Sequence, residues 1–510
     1  MTAVEGVLKP EEGVDDSAPC QKGLKLGAIG FVSSTVIGIA STAPGYSLAA
    51  TLGFLALAVG FFTPAILWVA FIPMLLIAVA YYYMNRADPD CGTTFSWVTR
   101  GLGPYVGWLG GWAIVVADII VMANLAQIAG LYTFLLFGAS GAAASTFWVT
   151  FVGVIWILIM TAVVTIGIEL SARSQWVLLA AEYLILMVFA VVALVKVYTQ
   201  NPPGSSHPSL SWFNPFNVSS FNALIAGVLL AIFIYWGWDS GVTVNEETED
   251  HTRAPGRAAV VSTLFLVFIY VLVSTAAIAF AGVHALGAHS DDALSFLGTS
   301  VFGSGILDKL LILAVLSSAA ASTQTTILPT ARTTLSMARQ GAAPRALGRI
   351  HPRFQTPHIS SILMGLFSVA WYIVLTVYST NVLGDSIASL GLMIAFYLGL
   401  TGLACTVYYR RQVFASAKNA LLIGLAPLAG AVMLGYVFVK ECINLADPAN
   451  SESGNSWFGV GPPLVIAVVF LVLGLVLMIV QRYRNPAFFR RKLETAPPGV
   501  LDAAPAVAGG

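Results

Sequence analysis

Gly38-Ile39-Ala40-Ser41-Thr42-Ala43-Pro44-Gly45 interrupts an apolar run that extends from Lys25 to about Gly53. Tyr235-Trp236-Gly237-Trp238-Asp239-Ser240-Gly241 interrupts a second, from Phe221 to about Glu249, at a similar depth. Each run is long enough to cross a hydrocarbon layer, which takes about 20 residues of helix. A helix that stops inside a bilayer leaves N–H and C=O groups without partners, and lipid supplies none, so each break must face protein, water or a ligand. Two such breaks in corresponding parts of a chain mark a ligand site near the bilayer midplane.

Composition places the breaks in a membrane. Of 510 residues, 58% are hydrophobic and only 9% charged, against roughly 25% charged in an average soluble domain. Twelve spans are read, at about 25–53, 60–84, 104–136, 147–168, 174–199, 221–245, 257–283, 306–335, 358–378, 387–409, 418–440 and 460–481. The expected fold class is an all-α integral membrane protein. Net charge is zero, which points to no acidic or basic partner and gives no support for nucleic-acid binding. The placement of charge is informative. With the N-terminus inside, all 24 Lys and Arg fall on the inner side except Lys196, Lys309 and Lys440, as the positive-inside rule requires. The chain is therefore expected in the cell (plasma or inner) membrane, multi-pass, with both termini cytosolic.

Residues 1–24 are polar and acidic, with Glu11, Glu12, Asp15 and Asp16. They lack the charged-then-apolar pattern of a signal peptide and read as a disordered cytosolic tail. Residues 484–510, rich in Pro, Ala and Gly from Ala496, read as a second cytosolic tail. Cys20, Cys91, Cys405 and Cys442 have no metal-ligand spacing, so neither a disulfide nor a metal site is expected. No cofactor motif and no P-loop appears, which argues against ATP-driven chemistry.

Between the tails lies a core, 25–483. Spans one to five (about 25–199) and six to ten (about 221–409) can be laid over each other with the interrupted helix first in each set. An odd number of spans per half makes this a 5+5 inverted repeat, with the helices at about 418–481 outside it. Asp90 to Gly103, carrying Phe95, Trp97, Val98 and Arg100, reads as a short amphipathic helix at the inner interface. Ala293 to Phe302, in the outer loop Val283 to Leu307, reads as a short lid helix.

Three segments carry a family resemblance. Gly92-Thr93-Thr94-Phe95-Ser96-Trp97 leads into Leu102-Gly103-Pro104-Tyr105-Val106-Gly107-Trp108-Leu109-Gly110-Gly111-Trp112. Gly237-Trp238-Asp239-Ser240 is followed by Glu246-Glu247-Thr248. Met337-Ala338-Arg339-Gln340-Gly341-Ala342-Ala343-Pro344 precedes Thr356-Pro357. In this order and spacing the chain resembles the amino acid–polyamine–organocation (APC) superfamily of permeases over most of its membrane core. The resemblance implies twelve transmembrane helices with breaks in the first and sixth, and a secondary active transporter rather than an enzyme. The family's first-span pattern is replaced here by Gly38-Ile39-Ala40-Ser41-Thr42-Ala43-Pro44.

At a helix break, free N–H groups attract an anion and free C=O groups a cation, and an amino-acid zwitterion presents both. The expected substrate contacts are therefore the N–H groups near Ala40 to Thr42 for the carboxylate, assisted by the Ser41 and Thr42 hydroxyls. Carbonyls near Ile37 and Tyr235 to Gly237 would meet the α-amino group, so Ile37, Gly38, Ile39, Ala40, Ser41, Thr42, Tyr235, Trp236, Gly237, Trp238 and Asp239 form the candidate substrate site. The bland alternative is a Pro44 kink with satisfied backbone. Tyr235, Trp236 and Trp238 can cap or gate the ligand, though plain packing explains each equally. Asp239, a carboxylate at mid-membrane, reads as a proton site, a partner for a cationic substrate, or a structural bond to the break.

Glu182 lies about two turns into the fifth span, where many proton-coupled relatives have Lys. The resemblance implies that this position faces spans one and eight. A carboxylic acid there suits proton coupling, while sodium ligation with hydroxyls including Ser318 and Ser322 is the alternative. Asp118, with Asn124 and Gln127 beyond it, is a further buried polar group for coupling or for helix-to-helix bonding. Ser318, Ser322 and Thr326 recur every fourth residue, which fits close packing as well as an ion site. Glu246, Glu247, Glu249 and Asp250 read as a solvated charge cluster. The expected activity is an amino-acid permease in the lipid bilayer, coupled to protons or to sodium. A polyamine or organic-cation carrier, or an exchanger of the same fold, is the runner-up. A channel or a membrane-embedded transferase is disfavoured, and the oligomeric state is open.

Overall fold

The computed structural model describes residues 22–290, 292–303, 305, 307–378, 382–451 and 453–497. Residues 1–21 of the expected N-terminal tail and 498–510 of the expected C-terminal tail lie outside the described residues. The main helices are α1 (Phe31–Thr42), α2 (Pro44–Val59), α3 (Thr63–Ala87), α4 (Thr94–Leu102), α5 (Pro104–Leu136), α6 (Thr146–Ile166) and α7 (Ile168–Gln200). They continue with α8 (Phe221–Tyr235), α9 (Ala254–Ala288), α10 (Ala293–Phe302), α11 (Lys309–Arg339), α12 (His358–Tyr378), α13 (Val382–Tyr408), α14 (Ala426–Asn444) and α15 (Pro462–Arg484). No strand occurs among the described residues. Proline starts α2, α3, α5, α9 and α15, where its missing N–H costs nothing and its fixed φ suits the first turn.

The described residues contain 11 stretches long and apolar enough to cross a membrane, where the sequence suggested twelve. The first, Phe31–Ala87, takes in two expected spans, because a 3-10 turn at Gly60–Phe62 joins α2 to α3 in place of a polar loop. The protein is thus an all-α, multi-pass membrane protein. Its centre is built on α5 and α11, whose spanning windows are 89% and 83% buried, whereas α6 and α15 are 28% buried and lie at the periphery. Around that centre α1 packs on α7, α9 and α11, and α8 packs on α2, α3 and α13. The two interrupted helices are therefore buried among other helices around their breaks.

Three expectations change, and one, the short outer helix, stands. The amphipathic segment after Asp90 does form a helix, α4, but Phe95, Trp97 and Val98 are 0% exposed. Its apolar face packs on α5 and α13 rather than on lipid. The expected lid helix forms as α10 and rests on α2, α7 and α11. Lys22 and Leu24, placed by sequence in a free tail, are buried. At the other end Phe488, Phe489 and Ala496 are also buried, with Glu494 N bonded to Arg100 O at 2.8 Å and Ala496 N to Tyr408 O at 2.9 Å. Both flanks close over the face rich in Lys and Arg, because each carries apolar side chains that the grooves between helices accept.

Candidate functional site

The first break is one residue wide. Ala43 takes a left-handed conformation (φ 48, ψ 70), and Pro44, which has no N–H to donate, starts the next helix. Ala43 N still donates to Ile39 O and Ala40 O, both at 3.2 Å. Ala40, Ser41 and Thr42 therefore lie in the last turn of α1, where their N–H groups belong to the helix's own ladder. This corrects the expectation that those three donors hold a carboxylate. The free donors belong to the start of α2: Gly45 N donates to Glu182 Oε1 at 2.6 Å and Tyr46 N to Ser318 Oγ at 3.1 Å. Free acceptors at the end of α1 are also taken, Ser41 O by Ser322 Oγ at 2.8 Å and Thr42 O by Ser47 Oγ at 2.6 Å. The Thr42 hydroxyl turns back to Gly38 O and Ile39 O at 2.9 Å.

The second break is wider. α8 ends at Tyr235, Trp236 is extended, Gly237 has φ +115, and helix resumes for one turn at Ser240–Thr243. The breaks touch each other at their glycines. A Cβ at Gly237 would lie 2.8 Å from Ser41 C and O, one at Gly38 would lie 2.9 Å from Trp238 O, and one at Gly241 would lie 2.5 Å from Ser34 O. Close backbone approach leaves no room for a larger residue, and two hydroxyls rivet it. Ser41 Oγ bonds Ser240 Oγ, and Ser34 Oγ donates to Gly241 O, each at 2.8 Å. The Ile234 carbonyl accepts from the Tyr270 hydroxyl, and Gly237 O accepts from Ser240 N. Buried at this junction, Tyr235 Oη and Trp238 Nε1 have no hydrogen-bond partner among the described residues.

Three buried carboxylates surround the breaks. Glu182, on α7, is 0% exposed; its Oε1 also accepts from Ser318 Oγ at 2.9 Å, while its Oε2 has no partner among the described residues. One acid thereby joins the N-terminus of α2 to α11, and the seryl spacing of α11 places Ser318 and Ser322 on opposite sides of the same break. Asp239 accepts from Tyr397 Oη at 2.9 Å, and Tyr397 Oη accepts in turn from Trp236 Nε1. Asp118 accepts from Thr330 Oγ1 and bonds to neither break. None of the three pairs with Lys, Arg or His among the described residues. An ionised acid there has no cation to offset its desolvation. Tyr397, on α13, was not singled out by sequence, where nothing distinguishes it from its neighbours.

Below the breaks, toward the face rich in Lys and Arg, ion pairs close the bundle. Arg332 and Glu247 are each about 1% exposed and bond twice, Nε to Oε2 at 2.7 Å and Nη2 to Oε1 at 2.9 Å. Lys22 Nζ sits 2.9 Å from Asp90 Oδ2 and also pairs with Glu246. Glu246 and Glu247 are thus not in a solvated cluster, while Glu249 and Asp250 are exposed as expected. Burial by itself lowers the Lys22 pKa, yet Asp90, Cys91 and Glu246 hold it well above the usual lysine value. Burial likewise raises Asp90, but Lys22 together with bonds from Ser336 and Gly92 N holds its carboxyl below the usual range. Asp90, Cys91 and Glu246 bring their ligand atoms within 4.8 Å of one another. The Lys22 ammonium fills the centre of that group, 3.6 Å from Cys91 Sγ.

A multi-pass helical protein in which two interrupted helices meet among buried carboxylates belongs to the class of solute transporters. Residues 26–482 match the family model described as amino acid permease, and the chain belongs to that family, within the APC group that its motifs resemble. It is 23% identical to the branched-chain amino acid permease BcaP of Lactococcus lactis over 54% of this chain and 61% of that protein. It is 23% identical to the BcaP of Bacillus subtilis over 59% of this chain and 64% of that one. The match thus spans less than two thirds of either branched-chain permease. Similarity to the low-affinity putrescine importer PlaP of Escherichia coli, 21% identical, covers 82% of this chain and 86% of that protein.

Proposed function

We propose that the protein is a secondary active amino-acid transporter of the plasma membrane, a proton symporter working by alternating access. Its termini lie in the cytosol, and residues 25–199 and 221–409 form two inverted repeats, each opened by a broken helix. The reading is carried by the bond of Glu182 Oε1 to Gly45 N and Ser318 Oγ. An anionic Glu182 caps the positive end of α2 and ties it to α11. Protonation removes that charge and loosens the tie, so proton occupancy and the geometry of the break change together. The substrate sits between Ile37–Thr42 and Tyr235–Asp239, with its ammonium toward Asp239. Sodium held by Glu182, Ser318 and Ser322 is the alternative coupling.

The test is uptake into proteoliposomes of purified protein under imposed proton or sodium gradients. Glu182→Gln should keep exchange of internal for external substrate and lose uphill accumulation, whereas Asp239→Asn should lose both. Failure of any amino acid or amine to accumulate under either gradient refutes the proposal. A polyamine carrier is the second reading, favoured by the extent of the match to the putrescine importer and by Asp239 and Asp118 having no basic partner. Competition of putrescine against neutral amino acids separates the two.

A further inference from the structure

Two short segments on the Lys- and Arg-rich face come together and carry few acids. Between residues 409 and 425 there is no acid at all, and between 481 and 497 the only one is Glu494, which Arg100 holds at 2.7 Å. In these segments Arg410, Arg411, Lys418, Arg484, Arg490 and Lys492 are exposed and have no carboxylate partner among the described residues. They are a quarter of the chain's 24 basic residues. Elsewhere on this face some cations are matched, Lys22 by Asp90, Lys25 by Glu169 and Arg332 by Glu247, while Arg345, Arg349 and Arg353 are exposed and have no carboxylate partner among the described residues, but no exposed aromatic of the size of Phe414 or Tyr483 stands beside them.

The segments also form one patch. Gln412 Nε2 donates to Pro497 O at 2.7 Å and to Ala496 O at 3.2 Å, and Ala496 N donates to Tyr408 O at 2.9 Å. From the same segments Phe414 and Tyr483 project 91% and 82% exposed, the placement of aromatic anchors at headgroup level. Among the described residues the patch supplies no carboxylate to these six cations, so an anion from outside the chain is their natural counter-charge.

We propose that the ends of α13, α14 and α15 on this face form a binding surface for anionic phospholipid. Arg and Lys side chains grip the headgroup phosphate, and Phe414 and Tyr483 lie among the acyl-chain ends. The surface uses none of the residues assigned to the transport site, so it stands whether or not the proposed substrate and coupling hold.

The test is native mass spectrometry of the full chain in neutral detergent after incubation with phosphatidylglycerol or phosphatidylcholine. Phosphatidylglycerol is retained and phosphatidylcholine is not. Each neutralised charge weakens retention by roughly fivefold, so R410Q/R411Q/K418Q and R484Q/R490Q/K492Q each bind it far more weakly. Removing as many charges from another loop, in R345Q/R349Q/R353Q, leaves retention unchanged. Melting without added lipid identifies any variant that fails to fold, and the milder R411Q/K492Q pair then takes its place with an intermediate loss. Equal retention of phosphatidylcholine, equal loss in the Arg345 loop variant, or full retention by the patch variants overturns the proposal. So does displacement of the lipid by millimolar-range inorganic phosphate, which would mark a free-phosphate site instead.

Discussion

Replacing Gly237 by Ala tests whether the two breaks are in backbone contact. Two costs add. A non-glycine residue held at φ +115 stores about 1–3 kcal/mol of backbone strain. The new Cβ would stand 2.8 Å from Ser41 C and O and 2.9 Å from Thr42 N; these are backbone atoms that cannot rotate away, and overpacking of that kind costs about 1–3 kcal/mol more. Two other substitutions separate the costs. Gly138→Ala has φ +69 with nothing within 4 Å, so it carries strain alone. Gly241→Ala has no positive φ but meets Ser34 O at 2.5 Å, so it carries the collision alone. Apparent melting temperatures of the purified variants in one detergent should fall in the order Gly138→Ala least, Gly241→Ala next and Gly237→Ala most, with solute uptake lost in the last. If Gly237→Ala melts with Gly138→Ala within experimental error, the breaks do not touch as described.

Tyr397→Phe removes the phenolic donor to Asp239, a bond to a charged group worth about 1.5–3 kcal/mol. Initial uptake should fall by about 10- to 150-fold while the fold persists, and an unchanged rate would separate Asp239 from transport. Asp90→Asn breaks the buried pair with Lys22 and should cost about 3 kcal/mol at neutral pH. Because the folded carboxyl lies below its ordinary value, its stabilisation is complete above about pH 4 and fades as the pH drops through the folded value. Melting of the Asn variant and the natural chain should therefore converge in acid, and a gap that stays constant would exclude an ionic contribution.

The breaks were legible because Gly, Ser and Pro interrupt otherwise apolar runs, and those residue types have few reasons to sit there. Their width was not. Ala43 carries no local mark of a left-handed residue, so the donors were assigned to Ala40–Thr42, a turn too early. Glu182, Asp239 and Ser318 were legible as polar groups at membrane depth, where any such group needs a reason. Their partners were not, because Tyr397 is one of 17 tyrosines and Arg332 is 85 residues from Glu247. Local pattern says which face of a segment is apolar and nothing about what covers it. That is why α4 was read as lying on lipid and Lys22 as free.

The narrowness of the gap at Ala43 has a mechanical consequence. Hydrogen-bonded helix lies on both sides, so rotation about a single φ and ψ is the soft coordinate, and with it the 12 residues of Phe31–Thr42 would swing as a stiff lever. At 1.5 Å per residue that lever is about 18 Å long, and a rotation of about 10° at the pivot carries its far end about 3 Å. Travel of that size matches the 3.1 Å bond from Ile29 N to Glu247 O, so a slight turn at one alanine is enough to unfasten the far end of the rod.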